Sequence, residues 1–251
     1  MSFFQSRAIV LQVTDYGESD KIVTLYTSQL GKLKAIAKGA KRSKKRFVNK
    51  LEFFTLLEVT VVPGRHSSLF LLDNAGLINP FPALRENYPR YTAAMLVCEL
   101  VNQWTRENDR DDSLFQLLCW GLHELTTTAD LAAIVIFFQI KMLDLLGVGL
   151  QLDHCLVCGK MEQTALPYQF SPAQSGIVCA PCARSQGIGG MPVSMSAVKT
   201  MQMARSMPLE RLRRLKITRH SLKEMAAVLK LYSNFQLQRE IHSWKQFSLA
   251  Q

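Results

Sequence analysis

Two pairs of cysteines carry the most specific chemistry in the chain. Cys155-Leu156-Val157-Cys158 and Cys179-Ala180-Pro181-Cys182 are CxxC elements with twenty residues between them. A two-residue gap lets both thiolates of a pair reach one ion, and an intervening pair of strands would bring the two knuckles together around structural zinc. Gly159 follows the first pair directly, where a knuckle needs a tight turn. Four protein ligands leave no open position for water, so a zinc ion held by Cys155, Cys158, Cys179 and Cys182 would be structural rather than catalytic. The rival chemistry, a redox dithiol, needs only one CxxC and usually a thioredoxin-like βαβ setting, which is absent. His154 adjoins Cys155 and is the alternative ligand. Cys98 and Cys119 fall on apolar helical faces and read as core thiols.

A second kind of chemistry is Coulombic. Residues 32–50 hold nine Lys or Arg and no Asp or Glu, in a chain whose formal net charge is +10. Lys32, Lys34 and Lys38 alternate with Leu33, Ala35, Ile36 and Ala37, close to the period of two of a half-buried strand with its cations on the wet face. Gly39 ends that strand, and Lys41, Arg42, Lys44, Lys45 and Arg46 crowd the loop beyond it. Phosphates recur along a nucleic acid, so cations spaced along a track suit its backbone, with Phe47 available as a stacking ring. The competing reading is a solvated loop that only aids solubility. A second set, Arg205, Arg211, Arg213, Arg214, Lys216, Arg219 and Lys223, fits helix ends and a solvated surface as well as it fits DNA or an acidic peptide tail.

Catalytic signatures are missing. His123-Glu124 starts a zinc-protease motif, but Thr127 stands where the second histidine belongs. Gly147-Val148-Gly149 lacks the third glycine of a dinucleotide site, and neither a Walker A lysine nor a nucleophile-elbow serine occurs. The five histidines show no ligand or base spacing. Glu107, Asp109, Asp111 and Asp112 could suggest a two-metal nuclease, yet they sit in a polar linker and read as a solvated loop. The expectation is a protein that is not an enzyme.

The elements that must position these residues change character along the chain. Residues 8–14, 21–27, 32–37, 53–62 and 68–73 read as five strands, with breakers at 15–20, 29–31 and Pro63-Gly64. Five short strands suggest a small closed barrel of the oligonucleotide-binding type, since closure removes exposed edges. Asn79-Pro80-Phe81-Pro82 is a linker, after which the period becomes helical: 89–105 with 91, 94, 95, 98 and 101 inward, a helix capped by Asp112-Ser113 with 115, 118, 122 and 125 inward, and 131–146 capped by Asp130 and ended by Gly147. The last of these is apolar almost all round and should be the centre of a bundle. Segments 166–170 and 176–178 supply strands between the knuckles. Ser221-Leu222-Lys223-Glu224 has the form of a capping box opening a helix to about Ser243, with 222, 225, 229 and 232 inward. The predicted class is α+β multidomain: a barrel over 1–80 and an α-helical domain over 81–251, with the zinc module inserted at about 152–187.

Charge segregates with these elements. Residues 1–80 are net +6, 81–154 net −5, 155–198 net +1 and 199–251 net +8. Basic ends around an acidic middle suggest a polyanion-binding face. The start of the chain lacks a secretory pattern, and the apolar run 131–138 is far below the roughly 20 residues needed to span a bilayer. The expectation is therefore a soluble, unexported chain.

Tyr-Gly-Glu-Ser-Asp-Lys-Ile-Val-Thr-Leu (16–25), Ala-Lys-Gly-Ala-Lys-Arg (37–42) and the CxxCG…CxxC pair after an all-helical middle resemble the RecO family of bacterial recombination mediators. Leu114-Phe115-Gln116-Leu117-Leu118 and Leu145-Leu146-Gly147 followed by Leu152-Asp153-His154-Cys155 are similar to that family's helical segments. The resemblance implies an oligonucleotide-binding barrel and a helical domain with a four-cysteine zinc module. It also implies binding to single- and double-stranded DNA, strand annealing, and partnership with RecR. Assistance to RecA in displacing single-strand-binding protein follows, that protein's acidic C-terminal tail docking on the helical domain. Lys38, Lys41 and Arg42 match the family's basic Ala-Lys-Gly-Ala-Arg-Arg element, with Lys in place of its first Arg. Not every family member keeps the cysteines, which implies a structural rather than an essential role for the metal. The compartment implied is the cytoplasm, at the nucleoid, with no membrane partner. The alternative from another class is a zinc-containing adaptor whose basic surfaces grip acidic protein tails.

Overall fold

The computed structural model describes residues 3–64, 68–161, 167–247 and 249. Met1, Ser2, His66 and Leu166, each of which entered the sequence reading, lie outside the described residues. Packing divides the chain into two compact units, 1–127 and 128–251, so the first helices after the linker group with the barrel.

Five strands form the barrel: β1 (Phe4–Tyr16), β2 (Asp20–Thr27), β3 (Gly31–Ala37), β4 (Leu56–Val62) and β5 (Phe70–Asn79). They close in the order β1-β2-β3-β5-β4, the five-stranded oligonucleotide-binding arrangement. Closure depends on the length of β1. Its first half pairs with β4 and its second half with β2, and a register shift between Val10 and Gln12 bends it between the two jobs. Period-two alternation fills the interior. Ala8, Val10, Val23, Leu25, Leu33, Ala35, Ala37, Leu57, Val59, Val61, Leu72 and Ala75 are buried together there. β5 runs six residues past its expected end, because a further shift beside Thr60 and Val61 keeps Ala75 inside although Asp73 and Asn74 interrupt the apolar pattern.

The short α1 (Ala83–Glu86) leads into α2 (Tyr88–Trp104) and α3 (Asp112–Thr127). Asn87 caps α2 by accepting from the Arg90 N–H, 3.1 Å. The buried face of α2 is wider than the expected stripe and includes Ala93, Leu96, Val97 and Leu100. For α3 the inward set is as expected, with Phe115, Leu118, Leu122 and Leu125 all buried. Its cap is different: Asp111, not Asp112 or Ser113, accepts from the Leu114 N–H at 2.9 Å.

The second unit is built on α4 (Leu131–Leu145), capped by Asp130 through the Ala133 N–H, 3.0 Å. Twelve of its fifteen residues are buried, which makes it the bundle centre that its all-round apolar sequence requires. The four-cysteine module follows: β6 (Tyr168–Ser171), β7 (Gly176–Val178), α5 (Ala180–Gln186) and β8 (Met191–Val193), with sheet order β7-β6-β8. The third strand had no counterpart in the sequence reading, since three residues after Gly189-Gly190 carry no period. Then come α6 (Met195–Ser206), α7 (Leu209–Leu212), α8 (Arg219–Leu237) and α9 (Ser243–Gln246). α6 and α8 pack on α4. Gln139 of α4 is fully buried; its amide nitrogen donates to the Ser233 hydroxyl of α8 at 2.8 Å and to Leu229 O at 3.3 Å, while its amide oxygen has no partner among the described residues. The capping box at 221–224 does not form. Thr218 is the cap, accepting from the Ser221 N–H at 3.1 Å, while Glu224 turns away to Ser194. The helix ends at Leu237, short of Ser243, because Gln238 adopts a left-handed conformation with φ 52°.

Candidate nucleic-acid interface and metal centre

The basic segment begins on β3. Leu33, Ala35 and Ala37 face the core, which sends Lys32, Lys34 and Ile36 outward. Lys32 is nevertheless only 9% exposed. Its ammonium donates to the carbonyls of Asn102 and Thr105, both 2.5 Å, at the C-terminal end of α2. It satisfies acceptors that a helix end leaves open and lies at the negative end of the dipole. Lys32 is therefore a strut between β3 and α2, and the expectation that it joins a phosphate track is corrected. The linker 105–109 runs alongside: the Asn108 N–H donates to the Lys32 carbonyl, 2.8 Å, and Gly31 is forced by φ +66° and by Asp109 O, which a Cβ would meet at 2.0 Å. Lys34 stays exposed and faces Glu107 at 3.3 Å.

Beyond β3 the loop is held in place by its neighbour, the β1–β2 turn. Asp20 accepts from the Gly39 N–H at 2.8 Å and the Ser19 hydroxyl at 2.9 Å, and the Lys41 N–H donates to Ser19 O at 2.9 Å. The Gly39 N–H, then Ser19 and the nearby Lys38 and Lys41 charges, hold the Asp20 carboxyl below its ordinary range. Sequence reasoning missed this positioning role. The only signal was that Asp20 closes the Tyr16–Asp20 motif, which otherwise reads as a plain turn.

The remaining cations divide by how they are used. Lys41 donates to Gly17 O at 2.9 Å and faces Asp15 at 3.2 Å; Arg42 faces Glu18 at 3.7 Å. Arg46 donates to Lys38 O at 2.8 Å and Asp73 O at 3.3 Å and lies over the Phe47 ring, 4.5 Å from its centroid. Phe47 is 3% exposed, so it closes the barrel rather than stacking on bases, a second correction. Lys50 donates to Arg46 O and Ala75 O. The Lys38, Lys44 and Lys45 side chains are exposed and make no hydrogen bond or ion pair among the described residues.

Three of the four carboxylates at 107–112 are engaged separately. Glu107 faces Lys34, Asp111 caps α3, and Asp112 holds Arg110 at 2.9 Å, an exchange that lowers the Asp112 carboxyl. They do not converge on a common point. Among the described residues the one group of His, Cys, Asp or Glu side chains that could share an ion is Cys155, Cys158, Cys179 and Cys182, whose sulfurs lie within 4.8 Å of one another. His154 is exposed and outside this group.

The cysteine geometry follows from the module's backbone. Gly159, at φ +71°, turns the first knuckle and donates to Cys155 O at 2.9 Å. The Leu156 N–H bonds Ile177 O at 3.0 Å and the Gln151 N–H bonds Ser175 O at 2.8 Å, tying that knuckle to the β6–β7 hairpin. Cys179 then caps the N-terminus of α5, and its N–H donates to Cys155 Sγ at 3.3 Å. Burial opposes ionisation of Cys155, but N–H groups of Cys158, Cys179 and Val157 outweigh it and bring the thiol down to about 6. The sulfurs crowd each other: the Cys179 thiol pushes Cys182 up to about 12. Burial raises Cys179 as well, so one lowered thiol stands beside two raised ones, and a cation would let them ionise together. Cys158 and Cys179 sulfurs are 4.0 Å apart, against about 3.8 Å for the edge of a tetrahedron with metal–sulfur bonds of about 2.3 Å. The donor set therefore fits a four-thiolate metal. Arg205 braces the module from α6, gripping both oxygens of Asp153 at 2.8 and 2.7 Å and donating to Leu150 O at 3.2 Å. That takes it out of the free basic set. Cys98 and Cys119 are thiols whose burial pushes them up, as core positions require.

Residues 1–81 match the family model described as Recombination protein O N terminal, and residues 85–245 match Recombination protein O C terminal. The DNA repair protein RecO of Syntrophus aciditrophicus is 31% identical, covering 96% of this chain and 93% of that protein. The DNA repair protein RecO of Desulfosudis oleivorans is 34% identical, covering 98% and 97%. That of Anaeromyxobacter sp. strain K is 37% identical over 70% of this chain and 68% of its own. With a closed barrel, a helical region and a converging cysteine quartet at the expected places, this chain belongs to the RecO family of DNA repair proteins.

Proposed function

We propose that this protein is a non-enzymatic recombination mediator that binds single- and double-stranded DNA, anneals complementary strands and assists RecA loading. The observation that carries it is the exposed cationic edge of the barrel, where the side chains of Lys38, Lys44 and Lys45 make no ion pair among the described residues. Lys34, Lys41 and Arg42 extend the same edge, each facing one partly or fully exposed carboxylate. Exposed pairs of this kind are weak and screened by salt, so a phosphate can replace the carboxylate. Arg46 shapes the loop more than it grips. Two polyanions repel each other, and a surface that neutralises several phosphates lowers that repulsion.

In this reading the barrel, 1–80, is the DNA-binding domain and 81–251 the helical domain. Zinc is the ion that Cys155, Cys158, Cys179 and Cys182 hold, and it supplies a closed cross-link rather than chemistry. RecR and the acidic C-terminal tail of single-strand-binding protein are the protein partners, and the setting is the cytoplasm at the nucleoid. The test is annealing of complementary oligonucleotides by the wild type and by a Lys38→Glu, Arg42→Glu, Lys44→Glu, Lys45→Glu variant. Loss of most binding with an unchanged circular dichroism spectrum is expected. Annealing at the wild-type rate by that variant would remove the site.

A further inference from the structure

The second unit holds 14 basic and 7 acidic residues, net +7, whereas the unit containing the barrel holds 16 and 13, net +3. Much of that excess is concentrated in one short stretch. Arg211, Arg213, Arg214, Lys216, Arg219 and Lys223 are all exposed, and none of their side chains makes a hydrogen bond or ion pair among the described residues. The stretch is not a loose tail. Leu212 is fully buried, Leu215 and Ile217 are half-buried, and successive turns are closed by Arg211 N–H to Pro208 O, Arg214 N–H to Arg211 O and Leu215 N–H to Leu212 O, each 3.0 Å. Thr218 then fixes the start of α8. The apolar side chains turn inward and the cations outward.

That arrangement costs stability. Arg219, His220 and Lys223 stand in the opening turns of α8, where the dipole favours anions, and no acid is present in the first turn. Of the nearby carboxylates, Glu224 is committed to Ser194 and His220, which leaves Glu210. A rule of local electrostatics broken without internal compensation points to an external anion. Of the apolar side chains between the six cations, Leu212 is fully buried and Leu215 and Ile217 are half-buried, and none is exposed. A purely cationic ridge suits a phosphate backbone better than an acidic peptide, whose affinity would need an apolar anchor as well.

We infer that residues 211–223 are a second DNA-binding surface that holds a strand independently of the barrel. Its use in bringing two strands together rests on the annealing reading above; its binding of DNA does not. The test uses the full chain carrying Arg213→Glu, Arg214→Glu and Lys216→Glu, all at exposed positions, beside a charge-conserving Arg213→Lys, Arg214→Lys variant. Titration at low salt with a short oligo-dT is expected to give two equivalents per chain for the wild type and the conservative variant, and one for the Glu variant. Annealing should fall at least tenfold in the Glu variant, and the slope of log K against log salt should shrink by about 2, from three lost contacts at about 0.7 each. One equivalent for the wild type, or two for the Glu variant, overturns the proposal. So does an unchanged DNA titration combined with loss of binding to a poly-glutamate peptide, which would make the ridge a peptide site. The barrel variant is judged separately: if it keeps both equivalents, the barrel assignment fails and the ridge stands or falls on its own titration.

Discussion

The two cationic regions exchange rank between sequence and structure. In sequence the 32–50 run dominates, with nine bases and no acid, while 205–223 fits helix ends and a solvated surface as well as it fits a polyanion. In the fold, Lys32, Arg46 and Lys50 spend their charges on backbone carbonyls, and Lys34, Lys41 and Arg42 each meet a carboxylate. The later set loses only Arg205 to a structural pair; its other six members are exposed and unpaired among the described residues. Charge density along a chain measures supply. What is available to a ligand depends on how many carbonyls and carboxylates the fold places within reach.

The largest effect that would test this contrast comes from the metal module, which belongs to the same unit as the later set. Extraction of the metal, or Cys158→Ser with Cys182→Ser, should melt that unit's small sheet and lower its unfolding midpoint by about 10 °C or more, if several kcal/mol are lost. The barrel should keep its own transition. Differential scanning calorimetry with and without chelator reads both, and metal content should fall from one ion per chain to none. A single transition unmoved by chelator would deny the module its role.

A smaller effect separates support from grip. Lys32→Met leaves two carbonyls at the end of α2 without their donor and should cost about 1–3 kcal/mol of stability. DNA affinity of the folded protein should change little. Lys216→Met should do the reverse, leaving the urea midpoint within error while weakening DNA binding at low salt. If Lys32→Met proves neutral in urea and costly in DNA binding, then β3 presents its cations as the bare sequence suggests.

Much of this was legible beforehand for a physical reason. Alternation in 32–37, apolar β-branched runs between breakers at 8–14 and 21–27, and a CxxC spacing set by the reach of two thiolates to one ion are all local, so strands and quartet could be placed from residue types alone. Lys32 could not, because its burial depends on α2, seventy residues away, ending beside β3. Phe47 misled for the same reason: an aromatic beside cations reads as a stacking ring until the barrel mouth closes over it. The capping box at 221–224 failed because Glu224 had a better partner in Ser194, again on a distant segment. Local pattern reports local constraint, and each of these three errors arose where a partner outside the local pattern took the side chain.

Asp20 gives the smallest effect and the sharpest check on how the barrel edge is held. Its carboxyl lies below the ordinary value of 3.8, chiefly through the Gly39 N–H, with Ser19 and then Lys38 and Lys41 contributing. A depressed folded value means the bond to Gly39 is fully present above the unfolded value and is lost as pH falls through the folded one. The Gly39 amide resonance should therefore titrate with a midpoint below 3.8, and sodium chloride should raise that midpoint only slightly, because the main cause is a hydrogen bond and not the screened lysine charges. Asp20→Asn should abolish the titration and weaken DNA binding less than twofold, since Lys38, Lys44 and Lys45 keep their charge while their loop loosens. A midpoint at 3.8 or above would mean that the β1–β2 turn does not hold the loop, and that the barrel's cations are as unconstrained as those of the α7–α8 ridge.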